Sequence, residues 1–254
     1  MNIIVPVKLV PDLVEELSID ASGTGLDTAW MRMIINEFDD HAIEQAIILK
    51  ERTGAHVTIL SLNIEGIDDL LFTAAAKGAD RLIKLNGDIE NSTNNHALAR
   101  AMASIIRDLK PDLILTGVQA HNDLDGTIGP QLAEYLGMPY IGYVSGANVG
   151  GDKVVIRKEY PGGLIAEMQA TLPALLGIQA AEQPPRYVAI SKVRQMMKTM
   201  SIEELEMAAL DSTGAPKVNR MFQPEVAERA TMLSEIPDQA AGELINIFKE
   251  LGTL

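Results

Sequence analysis

The stretch DDHAIEQAIILKERTGAHVTILSL, residues 39–62, decides the fold. Residues 39–54 have the helical spacing of apolar side chains that puts Ile43, Ala46 and Ile47 on one side of a helix. Their first residues are acids, which suit the positive end of a helix dipole, and Gly54 is a stop signal. A short apolar run, 57–62, follows at once. The stretch therefore predicts a helix that leads directly into a buried strand.

The same rhythm extends over the first half of the chain. Short runs rich in Val, Ile and Leu occur at 3–7, 57–62, 82–85 and 112–116. Between them, residues 67–78 and 94–111 repeat the helical spacing and end at Gly78 and Pro111. Strands that alternate with helices predict an α/β fold, a Rossmann-like doubly wound parallel sheet that helices cover on both faces.

The pattern changes after residue 138. Residues 153–178 alternate apolar and polar side chains around Pro161-Gly162-Gly163, which predicts an antiparallel hairpin on the edge of the sheet. Residues 191–210 are rich in methionine and helical in pattern, and a last helix is predicted near 237–250. We therefore expect a nucleotide-binding domain over residues 1–190 and an extended C-terminal arm over 191–254.

Composition excludes several classes of protein. With 35 acidic and 21 basic side chains the formal net charge is −14, which argues against nucleic acid and anionic membranes as general partners. No stretch approaches the roughly 18 to 20 apolar residues that span a bilayer. The absence of cysteine excludes disulfides, thiolate metal sites and cysteine nucleophiles, and no other residue set has metal-ligand spacing. The first residues, MNIIVPVKLV, lack the features of a signal peptide, so we expect a cytoplasmic protein.

The stretch GVQAHNDLDGTIGPQLAEYLG, residues 117–137, is the candidate ligand site. It follows an apolar run, and ligands of open α/β sheets bind beyond the carboxyl ends of strands. Pro130 suits the first turn of a helix, and Gly126 and Gly129 would let the backbone approach a ligand closely. Free amides near Thr127, Ile128 and Gly129 would then offer an anion site for a phosphate.

Asp123 and Asp125 do not suit direct contact with a phosphate, because a carboxylate repels it. They suit a ribose hydroxyl, backbone donors or helix caps. The alternative is a plain capped turn between a strand and a helix, since neither Walker A nor GxGxxG spacing is present.

Six segments in order resemble the β subunit of electron-transfer flavoproteins. They are VPVKLVPD at 5–12, NEFDDHAIEQAIILKE at 36–51, AAAKGADRLIKL at 74–85, PDLILTGVQA at 111–120, VIRKEYPGGLIAEMQATLPALL at 155–176 and PPRYVAISKV at 184–193. The resemblance covers about residues 1 to 200. It implies an adenine nucleotide α-hydrolase-like form of the doubly wound sheet and an electron carrier subunit rather than an enzyme.

The resemblance also implies partners and cofactors. The chain would form a heterodimer with an α subunit, which holds the redox-active FAD in its own mobile domain. The β subunit would bind AMP in ordinary members of the family and a second FAD in electron-bifurcating members. The arm would wrap the α subunit, and an acyl-CoA-type or other flavin dehydrogenase would dock near Met196 and Met197. A quinone reductase or another acceptor would take the electrons.

Carried over residue by residue, the resemblance implies a set of cofactor-binding residues and no catalytic ones. They are Pro6, Asn36, Phe38, Asp39, Leu62, Gln119, Ala120, Asp123, Leu124, Asp125, Gly126, Thr127, Ile128 and Gly129. Phe38 would approach the flavin of the α subunit. Many family members read Gly-Lys-Gln-Ala-Ile-Asp-Gly-Asp-Thr-Gly-Gln-Val-Gly-Pro in the loop, whereas this chain has Val118 and His121 to Asp125 there. Its polar contacts are rearranged, which leaves AMP and FAD as alternatives.

Other candidate residues have plainer alternatives. Phe38 is either a core residue or a flavin contact, and Met196, Met197 and Met200 form either a buried helix face or an interface. Arg157 either pairs with neighbours along its strand or reaches the flavin.

The two histidines near the candidate site are weaker candidates. His121 is either a general base or proton donor or, as we expect, a polar loop residue. His41 is expected to face solvent or to cap its turn.

Two other functions share parts of this pattern. A stand-alone adenine-nucleotide sensor of the universal-stress type has the same sheet and the same site at the strand ends, but it needs neither the arm nor the hairpin. An ATP pyrophosphatase would carry a Ser-Gly-Gly-x-Asp-Ser loop after the first strand, and KLVPDLVEEL has none.

Overall fold

The computed structural model describes residues 1–14, 16–87, 94–225 and 230–253. The chain divides into two compact units, Met1–Met221 and Phe222–Leu254. The strands are β1 Asn2–Pro6, β2 Leu9–Pro11, β3 Met33–Ile35, β4 His56–Leu62, β5 Arg81–Asn86, β6 Leu113–Gly117, β7 Tyr140–Val144, β8 Gly146–Gly150, β9 Lys153–Tyr160, β10 Leu164–Thr171, β11 Ala174–Ile178 and β12 Ile202–Glu206. The helices are α1 Glu37–Thr53, α2 Ile67–Lys77, α3 Asn95–Asp108, α4 Ile128–Leu136, α5 Ile190–Thr199 and α6 Pro237–Glu250.

The main sheet confirms the predicted doubly wound α/β fold. Within the described residues it has seven strands in the order β12-β5-β4-β1-β6-β11-β7, and its paired strands are parallel. Side chains alternate across it, so Ile3 and Val5 of β1 pack with α1 and α2, whereas Ile4 packs with α3 and α4. Helices therefore cover both faces.

The predicted hairpin forms, but in a sheet of its own. β9 and β10 pair in antiparallel register, with Gly162 and Gly163 at positive φ in the turn, and β8 pairs with β9 to complete a three-stranded sheet. Ser145 N–H donates to Arg157 O at 2.8 Å, so this sheet begins where the edge strand β7 ends. The end of the stretch predicted as hairpin is instead β11, which runs inside the main sheet between β6 and β7.

The helix predicted over 191–210 is wrong in its second half. α5 ends at Thr199, and residues 202–206 form β12, the strand that pairs with β5 at the edge. Glutamates favour helices in isolation, but here they meet polar partners across the strands: Arg81 with Glu203 at 2.7 Å and Lys84 with Glu204 at 3.4 Å. β12 lies in the first compact unit, Met1–Met221.

The second unit contains the predicted last helix. α6 begins with Pro237 in its first turn, where a missing N–H costs nothing. Ser234 N–H donates to Glu243 Oε2 at 3.0 Å, which closes the segment before the helix onto its middle. Within the described residues, no side chain of α6 is buried.

Candidate functional site

The carboxyl ends of β1 and β6 lie side by side where the strand order reverses. β1 pairs with β4 on one side and with β6 on the other, and the chain adds β4 and β5 before it returns to β6. Pro6, Leu62 and Gly117 are the last residues of these three neighbouring parallel strands. Ligands of open α/β sheets bind in the crevice outside the strand ends at such a reversal.

Asp39, in the first turn of α1, ties the ends of β1 and β6 together. Its Oδ2 accepts the Lys8 N–H at 2.9 Å, and its Oδ1 accepts the Gly117 N–H at 3.0 Å. The residue is 5% exposed, and this burial raises the pKa of its carboxyl to about 6, although the two N–H donors and the charge of Lys8 favour the ionised form. Asp39 therefore acts as a clamp between two strands.

Only glycine, which has no Cβ, fits at residue 117 between the end of β6 and Asp39. A Cβ at residue 117 would lie 2.9 Å from the backbone nitrogen of Asp39 and from the carbonyl carbon of Phe38, and closer still to Asp39 Oδ1. The first turn of α1 thus approaches the strand end at a distance that any side chain would prevent.

Asn36, directly before α1, holds a second point of the same loop. Its backbone N–H donates to Lys8 O at 3.1 Å, and its side-chain amide donates to Gln119 O at 2.9 Å. Asn36 is buried, whereas the Gln119 side chain is exposed. The segment after β6 is therefore fixed through its backbone, and its polar side chain is left at the surface.

Asp123 organises the middle of the loop. Its Oδ1 accepts the Lys8 ammonium at 2.6 Å and the Asn95 side-chain amide at 2.7 Å, and its Oδ2 accepts the Ala120 N–H at 2.8 Å. The Asp123 side chain is 7% exposed. The amide of Asn95 also donates to Gly126 O at 2.8 Å, so these contacts run through to the start of α4.

Asp125 has a different partner, the N-terminus of α3. Its Oδ2 accepts the His96 N–H at 3.2 Å, while the Asn94 side chain accepts the Ala97 N–H at 2.8 Å. Two side chains therefore cap the first turn of α3. Of the three roles open to the aspartates, the structure shows backbone donors for both and a helix cap for Asp125.

The first turn of α4 has no such cap. Thr127 precedes the helix, and among the described residues its side chain makes no capping hydrogen bond. The Cβ that Gly129 lacks would lie 2.9 Å from Tyr140 Cε2 and 3.0 Å from Thr116 Oγ1, so packing inside the protein already accounts for this glycine. Burial raises the pKa of Tyr140 to about 12, which keeps the phenol neutral below the helix.

Seven of the fourteen predicted cofactor-binding residues form hydrogen bonds that hold the crevice together. Those tied directly into the crevice by hydrogen bonds are Asn36, Asp39, Gln119, Ala120, Asp123, Asp125 and Gly126. Phe38 is half-buried, whereas Leu124 and His121 are exposed. His41, expected to face solvent or to cap its turn, is half-buried, and its Nδ1 accepts the Ala181 N–H at 3.2 Å.

Sequence reasoning assigned no role to Lys8 or Asn95. Lys8 lies in the quoted segment 5–12, and Asn95 opens a helical segment. The signal that was available is their polarity beside strand ends and helix starts, where carboxylates of the loop need donors.

Comparison with known proteins identifies the family. Residues 26–210 match the electron transfer flavoprotein domain, which is more than half of the chain. The chain belongs to the electron transfer flavoprotein family. It is similar to the electron transfer flavoprotein subunit beta of Methylophilus methylotrophus, with 31% identity over 98% of both chains, and to that of Clostridium acetobutylicum, also with 31% identity over 98% of both. It is also 31% identical to the acryloyl-CoA reductase electron transfer subunit gamma of Anaerotignum propionicum, over 77% of this chain and 74% of the relative.

In this member of the electron transfer flavoprotein family, α5 and β9 carry residues for which the sequence left two alternative roles. On α5, Met196 and Met200 pack against the core, whereas Met197 is 49% exposed. On β9, Arg157 is exposed, and the Lys158 ammonium lies over the rings of Tyr143 and Tyr160. The methionines therefore divide between a partly buried face and an exposed surface, and the hairpin presents cationic and aromatic groups.

Two kinds of feature are absent from the described residues. In the ranges that the structure describes, no helix combines the length and the apolar composition needed to cross a membrane. Nor do three or more His, Cys, Asp or Glu side chains come together there in an arrangement that could hold a metal ion.

Proposed function

We propose that this chain is the β subunit of a heterodimeric electron-transfer flavoprotein, in which it binds an adenine nucleotide and supports FAD-mediated electron transfer from a dehydrogenase to a downstream acceptor. Beta-subunit relatives that match nearly the whole chain support the subunit assignment and, with it, pairing with an α subunit. The crevice at the ends of β1 and β6 supports the nucleotide site.

The observation that carries the nucleotide site is the contrast between two helix starts at this crevice. Side chains cap α3, whereas Thr127 leaves the first turn of α4 without a side-chain cap. N–H groups at a helix start attract a phosphate, because they donate hydrogen bonds and carry the positive end of the helix dipole. The carboxylates of Asp39, Asp123 and Asp125 accept donors from the protein itself, which removes the objection that they would face the phosphate unpaired.

These residues fit an adenosine phosphate. The phosphate would lie at Thr127, Ile128 and Gly129, and the rest of the nucleotide would lie against the strand ends and the first turn of α1. The full proposed set is Pro6, Asn36, Phe38, Asp39, Leu62, Gln119, Ala120, Asp123, Leu124, Asp125, Gly126, Thr127, Ile128 and Gly129. Its occupant would be AMP, or a second FAD in a bifurcating complex.

The redox chemistry would come from FAD, held mainly by the α subunit. This chain would supply orientation and a wall that excludes water, with the half-buried Phe38 nearest the flavin. Within the predicted arm, residues 191–254, the part that follows β12 would wrap the α subunit. The exposed Met197 would be the anchor for an acyl-CoA-type or other flavin dehydrogenase, since a methionine adapts to different partners. A quinone reductase or another carrier would then accept the electrons.

The test is to count cofactors in the purified complex. The chain is co-expressed with the neighbouring reading frame that encodes an α subunit, and FAD and AMP are released and quantified per heterodimer. One FAD and one AMP would indicate the ordinary carrier, and two FAD a bifurcating one. If the two chains formed no heterodimer, or if the purified heterodimer held no adenine nucleotide, the proposal would be refuted.

A pair of asparagine variants sharpens this test. Asn36→Ala removes the amide that holds Gln119 O, so we expect the AMP content to fall while the FAD of the α subunit remains. Asn2→Ala changes the opposite end of β1, where the Asn2 amide donates to Lys110 O at 3.4 Å, and it should leave both cofactors in place.

The stand-alone sensor of the universal-stress type is not favoured. The relatives named here are electron-transfer subunits, and two of them match this chain over 98% of both lengths. The described structure also includes the antiparallel sheet that a self-contained sensor does not need.

A further inference from the structure

Lys8 provides a positive charge directly beside the proposed phosphate loop. The residue follows β1, its backbone N–H is held by Asp39, and its ammonium reaches Asp123 at 2.6 Å. Asn95 then links Asp123 Oδ1 to Gly126 O, and Gly126 directly precedes Thr127, the N-cap residue of α4. The side chains of Asp123 and Asn95 therefore connect Lys8 by hydrogen bonds to Gly126, next to the proposed phosphate position.

The exposure of the two partners differs in a way that matters for a ligand. The Asp123 side chain is 7% exposed, whereas that of Lys8 is 26% exposed. Asp123 is thus enclosed by its donors, while part of the lysine side chain remains accessible. An ammonium has three N–H donors, and the contact with Asp123 uses one of them.

Charge makes this cation necessary if the site holds a phosphate. The loop contributes Asp123 and Asp125 to a chain of net charge −14, and a phosphate dianion would add to that negative charge. The α4 start supplies partial positive charge, but a full cation is the stronger partner in a half-buried site.

We propose that Lys8 is the residue that recognises the 5′-phosphate of an adenosine compound at this crevice, with Asp123 and Asn95 as the residues that position it. This inference rests on the proposed nucleotide site and deepens it. Lys8 would then determine the preference for AMP over adenosine, whereas the clamps made by Asp39 and Asn36 would affect the affinity for both ligands equally.

The discriminating measurement is the affinity for AMP relative to adenosine. The heterodimer is freed of bound nucleotide, and each ligand is titrated calorimetrically into the wild type and Lys8→Met. We expect Lys8→Met to weaken AMP by about 10- to 100-fold, the loss typical of a hydrogen bond to a charged group, and adenosine by less than about 3-fold. Lys8→Arg, which retains the charge, should keep most of the preference for AMP.

Two further variants separate recognition from packing. Lys50→Met is the matched control, because Lys50 is 29% exposed and paired with Asp80 at 2.5 Å, away from this crevice. It should alter neither affinity. Asp123→Asn removes the carboxylate charge but keeps a side-chain oxygen that can accept the Lys8 ammonium, so the lysine stays in position and the AMP preference should persist even if both ligands bind less tightly.

The outcomes are distinct. A fall in AMP and adenosine affinity by the same factor in Lys8→Met, or no change in either, would overturn the role of Lys8 and leave the nucleotide site intact. A loss of the AMP preference in Asp123→Asn as large as that in Lys8→Met would also overturn it. A wild-type heterodimer that binds neither compound would overturn the proposed nucleotide site and this inference together.

Discussion

Gly117→Ala is the sharpest test of the contact between α1 and the end of β6. The added Cβ would meet the backbone nitrogen of Asp39 and the carbonyl carbon of Phe38 at 2.9 Å. Backbone atoms cannot rotate away as a flexible side chain can, so α1 or the strand end must shift. The backbone of Gly117 is not in the left-handed region, so the steric contact alone carries the effect.

The expected cost follows from two terms. Overpacking a close contact costs about 1–3 kcal/mol, and moving the helix also weakens the buried bond from Gly117 N–H to Asp39 Oδ1, which makes the upper part of this range the expected value. For a chain of this size about 1 kcal/mol corresponds to about 2–4 °C in melting temperature, so a decrease of several degrees is expected. The same shift separates Asn36 from Gln119 O, so the nucleotide content should fall as well.

The assay compares thermal unfolding of purified heterodimers at one protein concentration and one nucleotide concentration, because both bound ligand and partner shift the melting temperature. Gly150→Ala is the control. Gly150 lies on β8, and a Cβ there would have no atom within 4 Å. If Gly117→Ala melted like Gly150→Ala and retained its nucleotide, the description of the clamp would be wrong.

Three further predictions concern the same surfaces. Burial raises the pKa of Asp39 to about 6, above the 3.8 of a free carboxyl, so between these pH values the folded chain holds a proton that the unfolded chain has lost. The contribution of Asp39 to the free energy of unfolding is therefore full below about pH 4 and falls by up to about 3 kcal/mol as the pH rises through 6. The stability difference between wild type and Asp39→Asn should show this slope in urea titrations from pH 4 to 7, whereas a flat difference would contradict the raised pKa. Gly126→Val should remove bound nucleotide, measured by release and quantification, more than Gly137→Val, which also changes a glycine of positive φ but at the other end of α4. Equal losses would point to general backbone strain. Met197→Asp should slow reduction by the dehydrogenase in stopped-flow measurements with the FAD content unchanged, and an unchanged rate would remove Met197 from the docking surface.

The first half of the fold follows from local sequence pattern, whereas two later strands, β11 and β12, do not. β1, β4, β5 and β6 are short apolar runs bounded by helix signals, so a local rule finds them. β11 comes directly after a hairpin whose alternation suggests that it continues, and only its place between β6 and β7 explains its complete burial. β12 reads as helix from its glutamates, and its partners on β5 are more than a hundred residues away.

The site divides in the same way. Its position after β6 follows from the arrangement of parallel strands, and the start of α4 follows from Pro130 and its glycines. The partners of the carboxylates do not follow, because Asp39 and Asp123 accept donors from Lys8 after β1, from β6 and from α3, all distant in sequence. No local spacing encodes these distances.

The placement of the acids is compatible with the phosphate site that we propose for this acidic chain. Three carboxylates at the crevice each accept at least one donor from the chain itself: Asp39 from the ends of two strands, Asp123 from Lys8 and Ala120, and Asp125 from the start of α3. Their negative charge is thereby used to hold strands, loop and one helix together. The start of α4 receives no side-chain cap from the described residues, and it is the position where a phosphate would find donors without a competing carboxylate. Capping it with a new carboxylate, as in Thr127→Asp, should therefore stabilise α4 and expel the nucleotide together, a pair of opposite effects that a purely structural turn would not show.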